Sequence, residues 1–402
     1  MPHNLSRNNN QKKIALFIPS LRLGGGERVM IDLANAFARR GYDIDLLVFT
    51  ADGHFTNQLD PKVHIVSLRA RRIIFTLPKL VRYLRRVRPP VLMALDTYNH
   101  LLALTARVVS GTDTRIVLRI GTMLSILYTQ YTRLNDRMIP PLTRLLYPRA
   151  DAVIAVSRGV TRDTMHTCNV PEEKITTIFN PKNREAIRAM SRESLTHKWL
   201  GDNKDRPVII AGGRLRPGKG FEDLFEAFAL LNKQVPSRLI ILGAAGKMTS
   251  GNFAELVGNL GIAGDVDFAG YTDNPHAYTA RADVFVMPSV REGLPNALIE
   301  ALMCGTPTVS TDCDSGPREI LAPGTDPFKR ITEGVEWAEY GALVPVHGIA
   351  EMAEALLKLV SDPALSKQYR DASIEGSVAF DEEKIVDEYL NVLNPVSNHT
   401  PQ

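Results

Sequence analysis

The sequence is constrained most by an alternation of short apolar runs with amphipathic stretches, which proceeds through the first half of the chain and then begins again. Residues 13–19 read as a buried strand. Val29, Leu33, Ala34 and Phe37 share one face of a helix ending near Arg40, and residues 43–49 read as the next strand, which completes a βαβ unit. Further apolar runs follow at 91–95, 115–118, 152–156 and 174–179. The series restarts at 207–211 and continues with a helix over 221–231 and strands over 238–242, 266–269, 282–288 and 306–310. Strands separated by helices favour parallel pairing with both faces of the sheet covered. The expected class is α/β, built as two Rossmann-like doubly wound domains. Their expected limits are residues 1–185 and 207–376, joined by a polar linker over 186–206, with a final helical segment, 377–402, packing back on the first domain.

A chain of 402 residues is long enough for two such cores. Cys168, Cys304 and Cys313 offer neither a paired framework nor metal-ligand spacing, so a reducing compartment, the cytoplasm by default, is expected. The N-terminus is polar and no apolar run approaches the roughly 18 residues of a membrane span, which points away from an integral membrane protein. The net charge of +4 hides a division: the first 180 residues hold 26 Lys+Arg against 13 Asp+Glu, and the rest hold 22 against 31. That asymmetry directs the first half toward a polyanion or an acidic membrane surface.

Carboxyl ends of parallel strands are where open α/β sheets bind ligands. In the first half those ends present Gly24, Gly25, Gly26, Asp96, Arg119, Ser157 and Asn180. A glycine run opening a helix lets backbone N–H groups approach an anion, although this one is not the dinucleotide fingerprint. In the second half, the loop Gly213–Gly220 nearly matches a phosphate-binding loop, but Gly220 stands where the Mg²⁺-holding hydroxyl belongs. What remains is an anion site without metal, in which Arg214 and Lys219 grip a diphosphate beside a helix N-terminus. Glu292 falls in the loop after the strand 282–288, and Glu300 about one turn inside the following helix, with Pro295 in its first turn and Gly305 as its cap.

Residues 69–88 carry Arg69, Arg71, Arg72, Lys79, Arg82, Arg85, Arg86 and Arg88 with no acid, mixed with apolar and aromatic residues. This is the composition of a segment that sits on anionic lipid or binds a phosphate-bearing acceptor. Nothing in it matches a nucleic-acid recognition element, so no nucleic-acid partner is expected.

Several motifs in order resemble the nucleotide-sugar glycosyltransferases of the GT-B fold, family four. They are Gly24-Gly-Gly-Glu-Arg28, Val153-Ile-Ala-Val-Ser157, Gly213-Arg-Leu with Pro217-Gly-Lys-Gly220, Glu292-Gly-Leu-Pro-Asn-Ala-Leu-Ile-Glu300, Cys304-Gly-Thr-Pro307, Gly316-Pro-Arg-Glu-Ile320 and Tyr340-Gly-Ala-Leu-Val-Pro345. The resemblance covers nearly the whole chain. It implies two domains facing across a cleft, transfer with retention of configuration, and no metal or other cofactor. It further implies that Glu292 contacts the donor sugar within the loop Gly293, Leu294, Pro295 and Asn296, that Glu300 holds the ribose hydroxyls, and that Arg214 and Lys219 neutralise the diphosphate. Gly25 and Gly26 would let backbone approach the donor, and the loop with Tyr271 would hold the base. Many relatives carry a His near the position of Arg119; here an Arg could bind a phosphate of the acceptor, and Asp96 is the candidate for orienting the acceptor hydroxyl.

The expectation is thus a retaining transferase that moves a hexose or N-acetylhexosamine from a nucleotide diphosphate sugar, UDP before GDP, to a glycan acceptor. The acceptor is expected to be polyprenyl-diphosphate-linked, with Arg82, Arg85, Arg86 and Arg119 facing it or an anionic membrane at the inner face. A nucleotide-sugar epimerase and a non-catalytic nucleotide-binding protein are the alternatives.

Overall fold

A computed structural model describes residues 12–22, 24–51, 53–69, 75–131, 134–201, 204–216, 218–243 and 247–394, without the side chains of 134–135 and 247–252. Pro217, Arg71, Arg72 and Arg133 lie outside the described residues. The chain forms two compact units, Met1–Pro181 with Glu382–Gln402, and Lys182–Asp381.

The first unit is a seven-stranded sheet in the order β3-β2-β1-β4-β5-β6-β7. Its strands are β1 (Lys13–Phe17), β2 (Asp43–Val48), β3 (Val63–Ser67), β4 (Val91–Leu95), β5 (Arg115–Ile120), β6 (Ala152–Ala155) and β7 (Ile175–Thr177). All pairs are parallel. β1 and β4 are wholly apolar except for Lys13, because a sheet covered by helices on both faces leaves no polar side. The helix Glu382–Leu393 belongs to this unit and lies against the helix Gly25–Arg39. Arg39 pairs with Glu382 at 2.5 Å, and Arg40 pairs with Glu383 and Asp387.

The second unit repeats the plan in the order β10-β9-β8-β11-β12-β14-β13. Its strands are β8 (Val208–Gly212), β9 (Arg238–Leu242), β10 (Val266–Gly270), β11 (Val284–Met287), β12 (Thr308–Thr311), β13 (Glu336–Trp337) and β14 (Ala342–Val344). Only β13 is antiparallel to its neighbour. The helix Phe221–Gln234 buries Phe221, Leu224, Phe225, Phe228 and Leu231, spaced to form one apolar stripe. Phe225 packs edge-on to Phe253 at 5.5 Å between centroids, so its truncation to Ala should cost roughly 3–5 kcal/mol.

Residues 186–206, expected as a linker, lie inside this second unit. They begin within the helix Arg184–Ser191, and His197 Nε2–H donates to Asp267 of β10 at 3.0 Å. Among the described residues no helix is long and apolar enough to cross a membrane.

Candidate active site

In both units the strand order reverses beside the first strand, at β1/β4 and at β8/β11. Loops leaving two neighbouring parallel strands in opposite directions open a crevice at their carboxyl ends. The predicted residues Gly25, Gly26 and Asp96 fall at the first crevice, and Arg214, Lys219 and Glu292 at the second.

At the β8/β11 crevice the two loops are locked together. Val290 N–H donates to Gly218 O at 3.1 Å, and Gly220 takes φ +66° with no room for a side chain, since a Cβ would stand 1.9 Å from Pro288 O. Gly220 therefore serves close backbone approach rather than a metal-binding hydroxyl. This contact brings Lys219 Nζ to 2.5 Å from Glu292 Oε1, both partly buried. Two arginines absent from the sequence reading complete the cluster: Arg216, within the same loop, and Arg291, whose guanidinium abuts Gly218. Loss of water around Arg216, then its like-charged neighbours Arg214 and Arg291, pull its guanidinium below its ordinary pKa, with Glu292 opposing. Arg216 thus stands within electrostatic reach of two further arginines and of Glu292, which Lys219 already holds. Such an excess is suited to a bound anion of more than one charge. The following helix already carries Glu222 and Asp223 in its first turn, so the side-chain cations supply the attraction more than the helix end does.

The loop bearing Glu292 is fixed from β12. Arg318, 1% exposed, binds Asp312 with Nη2–Oδ2 at 2.6 Å and Glu336 with Nη1–Oε1 at 2.9 Å. Ser315 Oγ donates to Gly293 O at 2.7 Å. Gly316, at φ +96°, seats Pro295, whose Cδ would lie 2.6 Å from any Cβ there. Gly293, Leu294 and Pro295 are accordingly buried, and the helix Asn296–Met303 starts where Pro295 caps it.

Glu300 lines a pocket of about 190 Å³ with Gly212, Gly213, Gly243, Tyr271, His276 and Phe285. Tyr271 is half-exposed and its hydroxyl donates to Asp273 at 3.0 Å. Glu300 Oε1 accepts from Lys182 Nζ at 2.6 Å. Lys182 was invisible to sequence reasoning, because the pairing spans 118 positions and follows no motif.

The β1/β4 crevice is chemically different. Gly25 and Gly26 open the helix Gly25–Arg39, and a Cβ on Gly26 would stand 3.4 Å from Leu95 of β4. Asp96 adopts φ +80°, a costly conformation for a residue with a side chain. Although open to solvent at its edge, its carboxyl is pushed above the usual range by lost hydration, with backbone N–H donation from Thr97 opposing and the Glu27 charge adding. Tyr98 donates to Asp136 at 2.5 Å.

Arg119 requires a correction. It is 1% exposed, with Nε donating to Tyr389 at 3.0 Å and Nη2 to Asn180 at 2.5 Å. It ties β5 to the final helix of its unit instead of facing lipid or acceptor, because a buried guanidinium needs several acceptors at once. Arg85 is also committed, donating to the carbonyls of Ser110 and Val109 at 3.2 and 2.9 Å. Arg82 and Arg86 do line one groove, of about 510 Å³, with Arg69 and Lys79. Among the described residues Arg69, Arg82 and Arg86 have no carboxylate partner.

One group of metal-capable side chains occurs among the described residues, Asp43, Asp45 and His64. It lies at the opposite end of β2 from the crevice, and Lys13 already sits 2.8 Å from Asp43 and 3.1 Å from Asp45.

Comparison with known proteins bears on the family and the fold. Residues 23–185 match the model of Glycosyltransferase Family 4, and residues 194–376 match that of Glycosyl transferases group 1. The chain is 28% identical over 393 residues to the N-acetylgalactosamine-N,N'-diacetylbacillosaminyl-diphospho-undecaprenol 4-alpha-N-acetylgalactosaminyltransferase of Campylobacter jejuni, covering 95% of this chain and 99% of that one. It is 28% identical to the lipopolysaccharide core biosynthesis glycosyltransferase LpsE of Rhizobium meliloti, covering 92% and 96%. In fold it is similar to Anabaena HepE in complex with UDP, with a TM-score of 0.76 and 19% identity over 96% of this chain and 100% of that one.

Proposed function

The chain belongs to the family-four glycosyltransferases of the GT-B fold, and from that premise we propose a retaining, metal-independent transfer of a hexose or N-acetylhexosamine from UDP-sugar to a lipid-linked glycan. The observation that carries the donor assignment is the pairing of Lys219 with Glu292 amid Arg214, Arg216 and Arg291.

As the bond from sugar to diphosphate lengthens, negative charge grows on the departing phosphate and positive charge on the anomeric carbon. Cations fixed in advance stabilise the first without reorganisation, which is the work a metal ion performs elsewhere. A diphosphate reaching Lys219 competes with Glu292 for the ammonium, and the carboxylate is then released toward the sugar. Glu292 orients sugar hydroxyls and transfers no proton. In a same-face attack the acceptor O–H bond breaks as the new glycosidic bond forms, and the proton passes to the leaving phosphate oxygen. Asp96, in the first unit, orients the acceptor before attack by accepting its hydroxyl's hydrogen bond, which is given up as that proton turns to the phosphate oxygen.

The small pocket beside Tyr271 and Glu300 supports a pyrimidine over a purine base, and the UDP complex of HepE supports the same choice. The acceptor class is supported by the diphospho-undecaprenol acceptor in the name of the Campylobacter relative and by the groove of Arg69, Lys79, Arg82 and Arg86. That groove would also hold the protein peripherally on an anionic membrane at the cytoplasmic face. The test is product analysis with UDP-hexoses and UDP-N-acetylhexosamines in EDTA, using a polyprenyl-diphosphate-linked glycan as acceptor. An axial anomeric linkage formed without metal is the expected result; an inverted linkage, or turnover only with added Mg²⁺, would refute the mechanism.

A further inference from the structure

A carboxylate that binds ribose hydroxyls beneath a diphosphate needs something to hold it there against the donor's own negative charge. Glu300 lines the nucleoside pocket from the middle of the helix Asn296–Met303, and its Oε1 lies 2.6 Å from Lys182 Nζ. The Lys182 side chain is only 4% exposed, whereas Glu300 keeps 24%. An ammonium so far from water costs several kcal/mol unless an anion answers it, and the Glu300 carboxylate is the anion that meets it here. Lys182 is itself fixed by the main chain, its N–H donating to Phe380 O at 2.9 Å and the residue bridging in parallel to Asp381. His276 lines the same pocket, and a further ionisable neighbour does not compete. Cys304, one turn beyond Glu300, is held as a neutral thiol, pushed up to about 12 by burial and then by the Glu300 charge.

We infer that Lys182 is a positioning residue for donor binding, setting from a rigid backbone the direction in which the Glu300 carboxylate meets the two ribose hydroxyls. The inference rests on the reading of Glu300 as the ribose anchor. It assigns a role in recognition to a residue that no motif marks, outside the cation cluster that handles the diphosphate. A lysine that only neutralised charge in the interior would affect folding and leave ribose recognition intact.

The test is calorimetric binding of UDP and of 2′,3′-dideoxy-UDP to the full chain. Lys182→Met is expected to weaken UDP about tenfold, the loss of a charge-assisted contact, and to reduce the preference for UDP over the dideoxy compound by the same factor. Donor KM should rise correspondingly while kcat at saturating donor stays within about twofold. Lys182→Arg should recover affinity to within about threefold, because the charge returns. Should the methionine variant not fold, Lys182→Gln carries the same expectation. Unchanged preference for the ribose hydroxyls in these uncharged variants overturns the inference. Glu300→Gln separates the two levels: if it too keeps the preference, the ribose role of Glu300 fails, and if it alone loses it, only the role of Lys182 fails.

Discussion

The two units share a strand order and a switch point, and they differ in what stands there. At β8/β11 the loops are bonded to each other, and four cations, one carboxylate and a pocket with a second carboxylate converge. At β1/β4, among the described residues, there are glycines, tyrosine hydroxyls, the strained Asp96 and Glu27 near it. One fold therefore hosts two chemistries, because the sheet supplies only the crevice and the loops supply the groups. The charged crevice suits a donor whose bond breaks with charge separation. The plainer one suits an acceptor that must only be held by its hydroxyls.

Substitutions should break this division in order of size. Glu292→Gln should lower kcat at least about a hundredfold while the protein stays folded, as the proposed action of the released carboxylate on the sugar in the transition state requires. Steady-state kinetics with circular dichroism checks this, and full activity would remove the sugar-orienting role.

The next effect concerns stability and belongs to the first unit alone. His100 is buried, with Nε2 donating to Ala94 O at 3.0 Å and Nδ1 accepting from Tyr147 at 2.8 Å. Burial, opposed by the Ala94 bond, lowers its pKa from 6.5 to about 4. Above about pH 6.5 the imidazole is neutral in both states. As pH falls, the unfolded chain takes a proton that the folded chain refuses until about pH 4, so stability present above that window is lost across it, on the order of 3 kcal/mol. His100→Gln should flatten this part of a denaturant-monitored pH profile.

Smaller effects separate the two crevices. Arg214→Ala and Lys219→Ala should each weaken UDP and slow transfer at least about tenfold. Asp96→Asn should slow transfer by about as much and remove the loss of rate that accompanies protonation of the raised carboxyl at low pH. Least of all, Arg82→Ala with Arg86→Ala should reduce sedimentation with anionic liposomes a fewfold, whereas Arg85→Ala should not, because its guanidinium is already spent on Ser110 and Val109.

The doubled alternation of apolar runs made the two sheets legible, since buried parallel strands announce themselves by continuous apolar residues. β14, three residues long, and β3, with its second residue His64 exposed, gave too little pattern to be read. The loops around Lys219 and Glu292 were legible through glycine and proline placement. Arg119 was misread because a strand-end position says nothing about burial, which depends on Asn180 and Tyr389 from distant parts of the chain. Lys182 escaped for the same reason. Arg291, beside Glu292, and Arg216, two positions from Arg214, were within reach, but their convergence depends on how Gly218 and Gly220 fold the loop.

The division of labour is tested most directly by titrating UDP into the wild type, Lys219→Ala and Asp96→Asn. Affinity should fall at least about tenfold for Lys219→Ala and stay within about twofold for Asp96→Asn. An Asp96→Asn variant that loses UDP as strongly as Lys219→Ala, or a Lys219→Ala variant that binds it normally, would contradict the account.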